Sequence, residues 1–93
     1  MRPIHYTETE IQDHLVTLSN WQLSENSLYK EFTFTNFSTA FAFMTQVAMA
    51  SEKLNHHPEL KNSYHKVSIS LNTHDVGGIT ELDFKLAKLI DKF

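Results

Sequence analysis

The chain has 93 residues, a net charge of −3 and no cysteine, so we expect one domain spanning residues 1–93 with no disulfide framework and no thiolate metal site. The acidic balance gives no support for nucleic-acid binding, which usually needs a basic surface. No apolar run approaches the roughly 20 residues of a membrane span, and the N-terminal segment lacks an apolar signal core, so a cytoplasmic protein without membrane contacts is expected.

A first helix is predicted from Thr7 onward. Thr7, with Glu10 three residues later, has the spacing of a capping box, in which each side chain bonds the backbone N–H of the other residue. Ile11, Leu15 and Leu18 then recur at helical spacing and form one apolar face. Packing against a core is the expected role of this helix.

A β-hairpin is predicted to follow this helix. Trp21 falls on its short first strand, and the segment 24–27, Ser-Glu-Asn-Ser, has the chemistry of a turn. After the turn, every second residue belongs to one set, which is mainly apolar, and this is the period of a strand with one buried face. The set is Leu28, Lys30, Phe32 and Phe34, and the residues between them are Tyr29, Glu31 and Thr33.

The strongest predicted helix comes next, with Ser38 as its cap. Its apolar residues form two neighbouring stripes, the first made of Phe43, Val47, Ala50 and Leu54 and the second of Phe41, Met44 and Ala48. Such a wide apolar face is typical of a central helix. Pro58 is expected to close the helix, because proline disfavours helical geometry at the residue before it.

A second pair of strands is predicted after Pro58. A short strand falls within 59–64, and a longer one covers 64–74, with Val67, Ile69 and Leu71 on one side. After a glycine turn, Thr80 begins a last helix with an apolar face formed by Leu82, Leu86, Leu89, Ile90 and Phe93. The order is therefore α-β-β-α-β-β-α. Paired strands favour an α+β fold, in which helices cover one face of an antiparallel sheet.

The candidate functional residues centre on the adjacent pair His56 and His57, at the predicted end of the central helix. Imidazole exchanges protons easily near neutral pH, and two rings in different surroundings could supply one acid and one base. Glu52 precedes His56 by four residues, so on a helix its carboxylate could orient that ring. His74 ends the predicted second long strand, and Asp83 lies in the first turn of the last helix.

Simpler interpretations of these residues stay open. The histidine pair and Glu52 could be solvated surface groups, and Asp83 could serve only as a capping residue. A zinc site is a sharper alternative, since three histidines can hold zinc, although the adjacent spacing lacks the i, i+4 pattern of zinc-binding helices. A Ser-His-Asp hydrolase has no supporting motif. His5, His14 and His65 are assigned no role.

The spacing of the polar residues resembles the signature of the pterin-4a-carbinolamine dehydratases. That signature is matched here by Glu52, His56, His57, Pro58, Tyr64, His74 and Asp83. The flanking segments are also similar to the family, namely "YKEFTFTNF", "FAFMTQVAMASEKLNHHPE", "YHKVSISLNTHDVGG" and "TELDFKLAKLID". The resemblance covers most of the chain after the first helix. One position departs from it, because Leu60 stands where family members usually carry an aromatic residue, typically tryptophan.

The resemblance implies a four-stranded antiparallel sheet with three helices packed on one face, assembly into homodimers or homotetramers, and no metal or organic cofactor. It implies that the protein removes water from a 4a-hydroxytetrahydropterin to give the quinonoid dihydropterin during tetrahydrobiopterin recycling. A non-catalytic dimerisation or interaction module of the same fold is the alternative, since animal relatives also act as partners of a homeodomain transcription factor.

The resemblance also assigns roles to individual residues. It makes His56 the base at N5 of the pterin and makes His57 and His74 the donors to the leaving hydroxyl. Glu52 and Asp83 would be supporting residues, and Thr73 and Asp75, on either side of His74, are expected to bind the substrate.

Overall fold

The computed structural model describes residues 4–93, so the first three residues of the expected domain lie outside the described range. The elements follow the predicted order α-β-β-α-β-β-α. The helices are α1 (Glu8–Leu15), α2 (Phe37–Leu54) and α3 (Glu81–Ile90), and the strands are β1 (Gln22–Ser24), β2 (Ser27–Thr33), β3 (Glu59–Ser63) and β4 (Lys66–Leu71). A 3₁₀ turn at His74–Val76 connects β4 to α3.

The four strands form one antiparallel sheet in the order β1-β2-β4-β3. The central pairing joins β2 to β4, with Leu28 opposite Leu71 and Thr33 opposite Lys66. Each outer strand is the hairpin partner of the central strand beside it. The predicted α+β fold is confirmed, although Trp21 lies one residue before β1 and is buried there instead of lying on the strand.

The core lies between one face of the sheet and the helices. The sheet contributes Leu28, Val67, Ile69 and Leu71, and the helices contribute Phe43, Val47, Phe84, Leu86, Ala87 and Ile90, all of them buried. Burying one such large side chain stabilises a fold by about 1.5–3 kcal/mol. Because side chains alternate across a strand, the residues between these sheet positions face the opposite, open side. That open face is where a cavity forms.

The capping predictions for the helices are confirmed for α1 and wrong for α2. Glu10 N–H donates to Thr7 Oγ1 at 3.2 Å, and Thr7 N–H donates to Glu10 Oε1 at 2.8 Å, which completes the expected capping box. The cap of α2 is Asn36, whose Oδ1 accepts from Thr39 N–H at 2.9 Å, so Ser38 lies inside the helix. Asparagine and serine cap equally well, so residue type alone does not choose between them.

The end of α2 also differs from the prediction. The helix ends at Leu54, and Asn55 adopts the left-handed conformation with φ 51° and ψ 45°. Asparagine tolerates this conformation better than most residues do, and it often follows the last helical residue. Asn55 therefore ends α2 before Pro58 can act, and both His56 and His57 lie beyond the helix.

The first of the two predicted apolar stripes of α2 faces the core, whereas the second does so only through Met44, which is half-buried and packs against the core. Phe43 and Val47 are buried, whereas Phe41 of the second stripe is 53% exposed. Met49 and Phe37 are exposed as well. The outer surface of α2 thus presents large apolar side chains. No helix within residues 4–93 is long and apolar enough to cross a lipid bilayer.

Candidate active site

His56 is buried between α2 and α3. Its side chain follows the left-handed turn at Asn55, and its backbone N–H donates to Ser51 O at 3.0 Å. The residue is only 7% exposed, and its Nε2 lies 2.6 Å from Oδ1 of the fully buried Asp83. Because Asp83 sits in the first turn of α3, this contact joins the end of one helix to the beginning of another.

The second carboxylate oxygen of Asp83 has two further partners. Thr73 Oγ1 lies 2.8 Å from Oδ2, and the backbone nitrogen of Thr80 lies 2.9 Å from the same oxygen. The two threonine hydroxyls lie 2.7 Å apart, and both residues are buried. Asp83 is therefore a capping residue of α3 and a partner of His56 at once. Because the Thr73 hydroxyl already bonds to Thr80 and Asp83, it is not free to contact a substrate in this arrangement. The predicted substrate-binding role of Thr73 stays a prediction.

Glu52 contacts His57, so the expected pairing of Glu52 with His56 was wrong. Glu52 Oε2 lies 2.7 Å from His57 Nε2, and both side chains are largely exposed. The four-residue spacing would have put Glu52 beside His56 on a continuing helix. Because Asn55 ends the helix in a left-handed conformation, His56 turns inward and His57 takes the position next to Glu52.

His57 and His74 line one cavity on the open face of the sheet. The cavity has a volume of about 590 Å³ and is bounded by both hairpins, through Tyr29 and Ser27 on one side and Lys61 and Ser70 on the other. His74 reaches it from the start of the 3₁₀ turn, since β4 ends at Leu71 and is shorter than predicted. Among the described residues, His56 does not line this cavity.

The floor of this cavity is polar and was not predicted from the sequence. Ser70, Tyr29 and Lys61 are positions of β4, β2 and β3 that alternate with core residues, so the signal that could have identified them was strand alternation. The Tyr29 hydroxyl donates to Glu31 Oε2 at 3.0 Å, and this hydrogen bond raises the pKa of Tyr29 above its ordinary value. The phenol of Tyr29 therefore stays protonated at neutral pH.

A loop contact joins the first hairpin to the 3₁₀ turn. Asn26, in the turn between β1 and β2, donates from Nδ2 to Gly77 O at 2.7 Å. Gly77 has a φ of 67° and ends the 3₁₀ turn that carries His74 and Asp75. Asp75 is exposed in this turn, next to His74 in the chain. Its predicted substrate-binding role stays a prediction.

A second cavity of about 350 Å³ lies on the other side of His57. It is lined by Ala48, Ser51, Glu52, His57, Pro58 and Leu60. His57 and Pro58 line both cavities and so separate them. Leu60, which stands where the resembled family usually carries an aromatic residue, therefore lines the side of His57 that faces α2. Within residues 4–93, no group of three or more His, Cys, Asp or Glu side chains is arranged to hold a metal ion.

Comparison with known proteins gives a consistent set of relatives. A family model described as Pterin 4 alpha carbinolamine dehydratase matches residues 4–93. A protein of Rhizobium johnstonii named "Putative pterin-4-alpha-carbinolamine dehydratase" is 56% identical over 86 residues, which cover 90% of this chain and 85% of that one.

Two solved structures are similar to this fold. One is a crystal structure from Brucella melitensis described as a transcriptional coactivator/pterin dehydratase, with a TM-score of 0.92, 42% identity and coverage of 96% of this chain and 97% of that one. The other is described as a pterin dehydratase-like protein and RuBisCO assembly factor in the alpha-carboxysome. It has a TM-score of 0.65 and 24% identity over 81% of this chain and 87% of that one, which shows a likeness of fold alone.

Proposed function

The chain belongs to the pterin-4a-carbinolamine dehydratase family, and we propose that it removes water from a 4a-hydroxytetrahydropterin to give the quinonoid dihydropterin by histidine acid–base catalysis. The observation that carries this proposal is the presence of His57 and His74 in one polar cavity. Its volume of about 590 Å³ is within the usual range of small-molecule sites.

The chemistry needs only proton transfers. The bond between C4a and the hydroxyl oxygen breaks, N5 loses its proton, a C4a–N5 double bond forms, and water leaves. One group must deliver a proton to the departing oxygen, and another must accept the proton of N5. Such general acid–base catalysis typically contributes a factor of about 10²–10⁴ to the rate.

The histidines fit these two tasks to different degrees. His57 and His74 are proposed as the donors to the hydroxyl, since both are exposed at the cavity and can exchange protons with water between turnovers. His56 does not line the cavity, and it is proposed as the base at N5 on the family resemblance and on its place directly before His57. Asp83 holds its ring through Nε2. Glu52 supports His57 in the same way at the surface.

The remaining parts of the proposal concern the setting of the reaction. Asp75 is proposed to bind substrate, since it neighbours His74 in the turn. Thr73 directly precedes His74, but its buried hydroxyl is bonded to Thr80 and Asp83, so its proposed part is to support the site and not to contact the substrate. A role in tetrahydrobiopterin recycling and a cytoplasmic location stay predictions from the sequence.

A direct assay tests the proposal. The decay of a freshly generated 4a-hydroxytetrahydropterin is followed by its ultraviolet absorbance with and without the protein. We expect the decay to be faster with the wild-type chain than with the His57→Ala/His74→Ala double variant at the same concentration. A wild-type protein that is folded by circular dichroism and leaves the decay at the buffer rate would refute the dehydratase.

The exposed apolar surface of α2 favours a second role, in protein–protein contact. Phe37, Phe41 and Met49 are all exposed on this helix, and the rings of Phe37 and Phe41 are in contact with their centroids 5.8 Å apart. Apolar side chains that are exposed together often mark a site of protein–protein contact. We propose that the chain forms homodimers or homotetramers through this surface. A non-catalytic interaction module is the alternative function. It predicts stoichiometric effects that do not change when His57 and His74 are replaced, so the same double variant separates the two functions.

A further inference from the structure

Thr73 is only 5% exposed, and its hydroxyl lies between Thr80 and Asp83. We propose that Thr73 is a positioning residue, which holds the Asp83 carboxylate so that the neutral ring of His56 carries its proton on Nε2 and its lone pair on Nδ1. This inference deepens the proposed dehydration, and it rests on that function only for its kinetic consequence.

The direction of each hydrogen bond around Asp83 follows from the donors that are present. Backbone N–H groups only donate, so Leu82 donates to Thr80 Oγ1 at 3.2 Å and Thr80 donates to Asp83 Oδ2 at 2.9 Å. An ionised carboxylate only accepts, so Thr73 must use its single hydroxyl proton toward Asp83 Oδ2. The 2.7 Å contact between the two hydroxyls is then donated by Thr80.

The same reasoning fixes the tautomer of His56. Asp83 Oδ1 lies 2.6 Å from Nε2, so Nε2 must carry the proton whenever Asp83 is ionised and the ring is neutral. A neutral imidazole has one N–H, and its other nitrogen holds the lone pair. A base at N5 of the pterin must therefore act through Nδ1 of His56.

Thr73 matters because it holds the carboxylate in one orientation. Without its hydroxyl, Asp83 Oδ2 keeps the Thr80 N–H as its remaining donor in the cluster. The carboxylate then has fewer restraints against rotation, and its bond to His56 is less well aligned. Thr80 supports this arrangement. Its hydroxyl donates to Thr73 Oγ1, so the Thr73 hydroxyl proton is left to donate to Asp83.

Ring nitrogen NMR of the ¹⁵N-labelled full chain tests the tautomer without any substrate. Spectra are recorded at a pH where His56 is neutral, and its signals are assigned by their loss in His56→Gln. We expect a protonated Nε2 and an unprotonated Nδ1. A proton on Nδ1 in the wild-type protein would overturn the inference.

Asp83→Asn is the sharpest perturbation of this arrangement. The Thr73 hydroxyl and the Thr80 N–H both need an acceptor, so they hold the amide oxygen on their side. The amide NH₂ then faces Nε2 of His56, which must become an acceptor, and the ring proton moves to Nδ1. A variant ring that keeps its proton on Nε2 would contradict the proposed donor arrangement.

Thr73→Val and Thr73→Ser form a matched pair for the positioning role. Valine removes the hydroxyl at nearly constant volume, whereas serine keeps it. We expect the Nε2-bound proton of His56 to exchange with water faster in Thr73→Val, because the less restrained Asp83 carboxylate holds it less firmly, and to exchange at the wild-type rate in Thr73→Ser. In turnover, we expect kcat to fall about tenfold with KM little changed in Thr73→Val, which is the loss of one hydrogen bond to a charged group, and to recover in Thr73→Ser.

The NMR measurement on the His56 ring and the turnover assay test different parts of the proposal. A folded Thr73→Val protein in which the Nε2 proton of His56 exchanges with water at the wild-type rate would overturn the positioning role, whatever its turnover. If the wild-type chain showed the expected tautomer but did not accelerate pterin dehydration, the proposed function would fail while the hydrogen-bond arrangement stood. If Thr73→Val does not fold, the tautomer of Asp83→Asn decides the question.

Discussion

Glu52 Oε2 lies 2.7 Å from His57 Nε2, on the far side of the left-handed turn at Asn55. The two side chains are 75% and 61% exposed, so water and salt weaken their attraction. Exposed ion pairs of this kind contribute less than about 1 kcal/mol to stability. We therefore propose that Glu52 orients the His57 ring, and we expect it to contribute little to the stability of the fold.

Replacing Glu52 tests this orienting role. In Glu52→Gln the amide oxygen can still accept from the ring, so we expect turnover to fall by less than about tenfold, and Glu52→Ala should lose more. Urea denaturation should give free energies of unfolding within about 0.5 kcal/mol of the wild type for both variants. A loss of several kcal/mol would mean that the contact has a structural role.

The proposed acids are tested singly by His57→Ala and His74→Ala. Each replacement should lower kcat by about 10²–10⁴-fold, because it removes a proton donor at the leaving oxygen. Both side chains are exposed, so the thermal denaturation midpoint should barely change. His5→Ala is the matched control, since His5 is exposed and does not line the cavity. Full turnover in both site variants would remove the proposed acids.

Asp83→Ala should destabilise the fold strongly. It leaves the His56 ring, the Thr73 hydroxyl and the Thr80 N–H without their buried acceptor. Removing one partner of a buried pair costs about 3–5 kcal/mol, to be measured by urea denaturation. Asp13→Ala, on the exposed side of α1, should change the free energy of unfolding by less than about 0.5 kcal/mol. Equal effects of the two variants would contradict the importance of the buried cluster.

The capping box of α1 predicts a dependence of stability on pH. The hydrogen bond from the Thr7 backbone N–H, together with its side chain, holds the pKa of Glu10 below its ordinary value. A lowered folded pKa means that the contribution is present above the unfolded pKa and is lost as the pH falls through the folded pKa. Glu10→Ala should therefore differ most from the wild type near neutral pH and least in acid.

Urea denaturation of both proteins at stepwise lower pH measures this difference. Glu8→Ala is the control, since Glu8 is an exposed acidic residue in the same first turn and takes no part in the capping box. A wild-type advantage over Glu10→Ala that stays constant down to strong acid would show that the carboxylate charge is irrelevant to the cap.

The outer surface of α2 is tested by placing a charge in it. If copies of the chain assemble there, Phe41→Glu and Met49→Glu should lower the sedimentation coefficient toward that of a smaller species, because a buried unpaired carboxylate is costly. Val16→Glu introduces the same charge at an exposed apolar residue beyond α1 and should leave the assembly unchanged. Unaltered sedimentation of both α2 variants would place any self-association elsewhere.

The sequence predicted those features for which a local pattern and the final packing agree. The alternation in β4 places Val67 and Ile69 in the core, and the capping box at Thr7 starts α1 as expected. The partner of Glu52 could not be predicted, because it depends on a single left-handed residue. Asparagine at position 55 permits that conformation without requiring it, and the sequence spacing alone favoured the wrong histidine.

In the candidate site, too, the local pattern predicted some features, whereas others depend on tertiary contacts. The spacing of the polar residues identified His56, His57 and His74, but it could not show that His56 is buried and the other two are exposed. That difference depends on Asp83, which is distant in the chain and reaches His56 only after α3 packs against α2. The hydroxyl contact between Thr73 and Thr80 is likewise tertiary, and no local pattern indicates it.

The pairing of β2 with β4 has a consequence for the kinetics of folding. It joins Leu28 to Leu71 and encloses α2 within the loop that it closes, whereas the two hairpins are local. Contacts between such distant residues form slowly, because the entropy of loop closure opposes them until the strands have paired. Since Tyr29 and Ser70 belong to opposite hairpins, the cavity proposed as the active site does not exist until the hairpins join. Regain of turnover after dilution from denaturant should therefore lag behind formation of the hairpins.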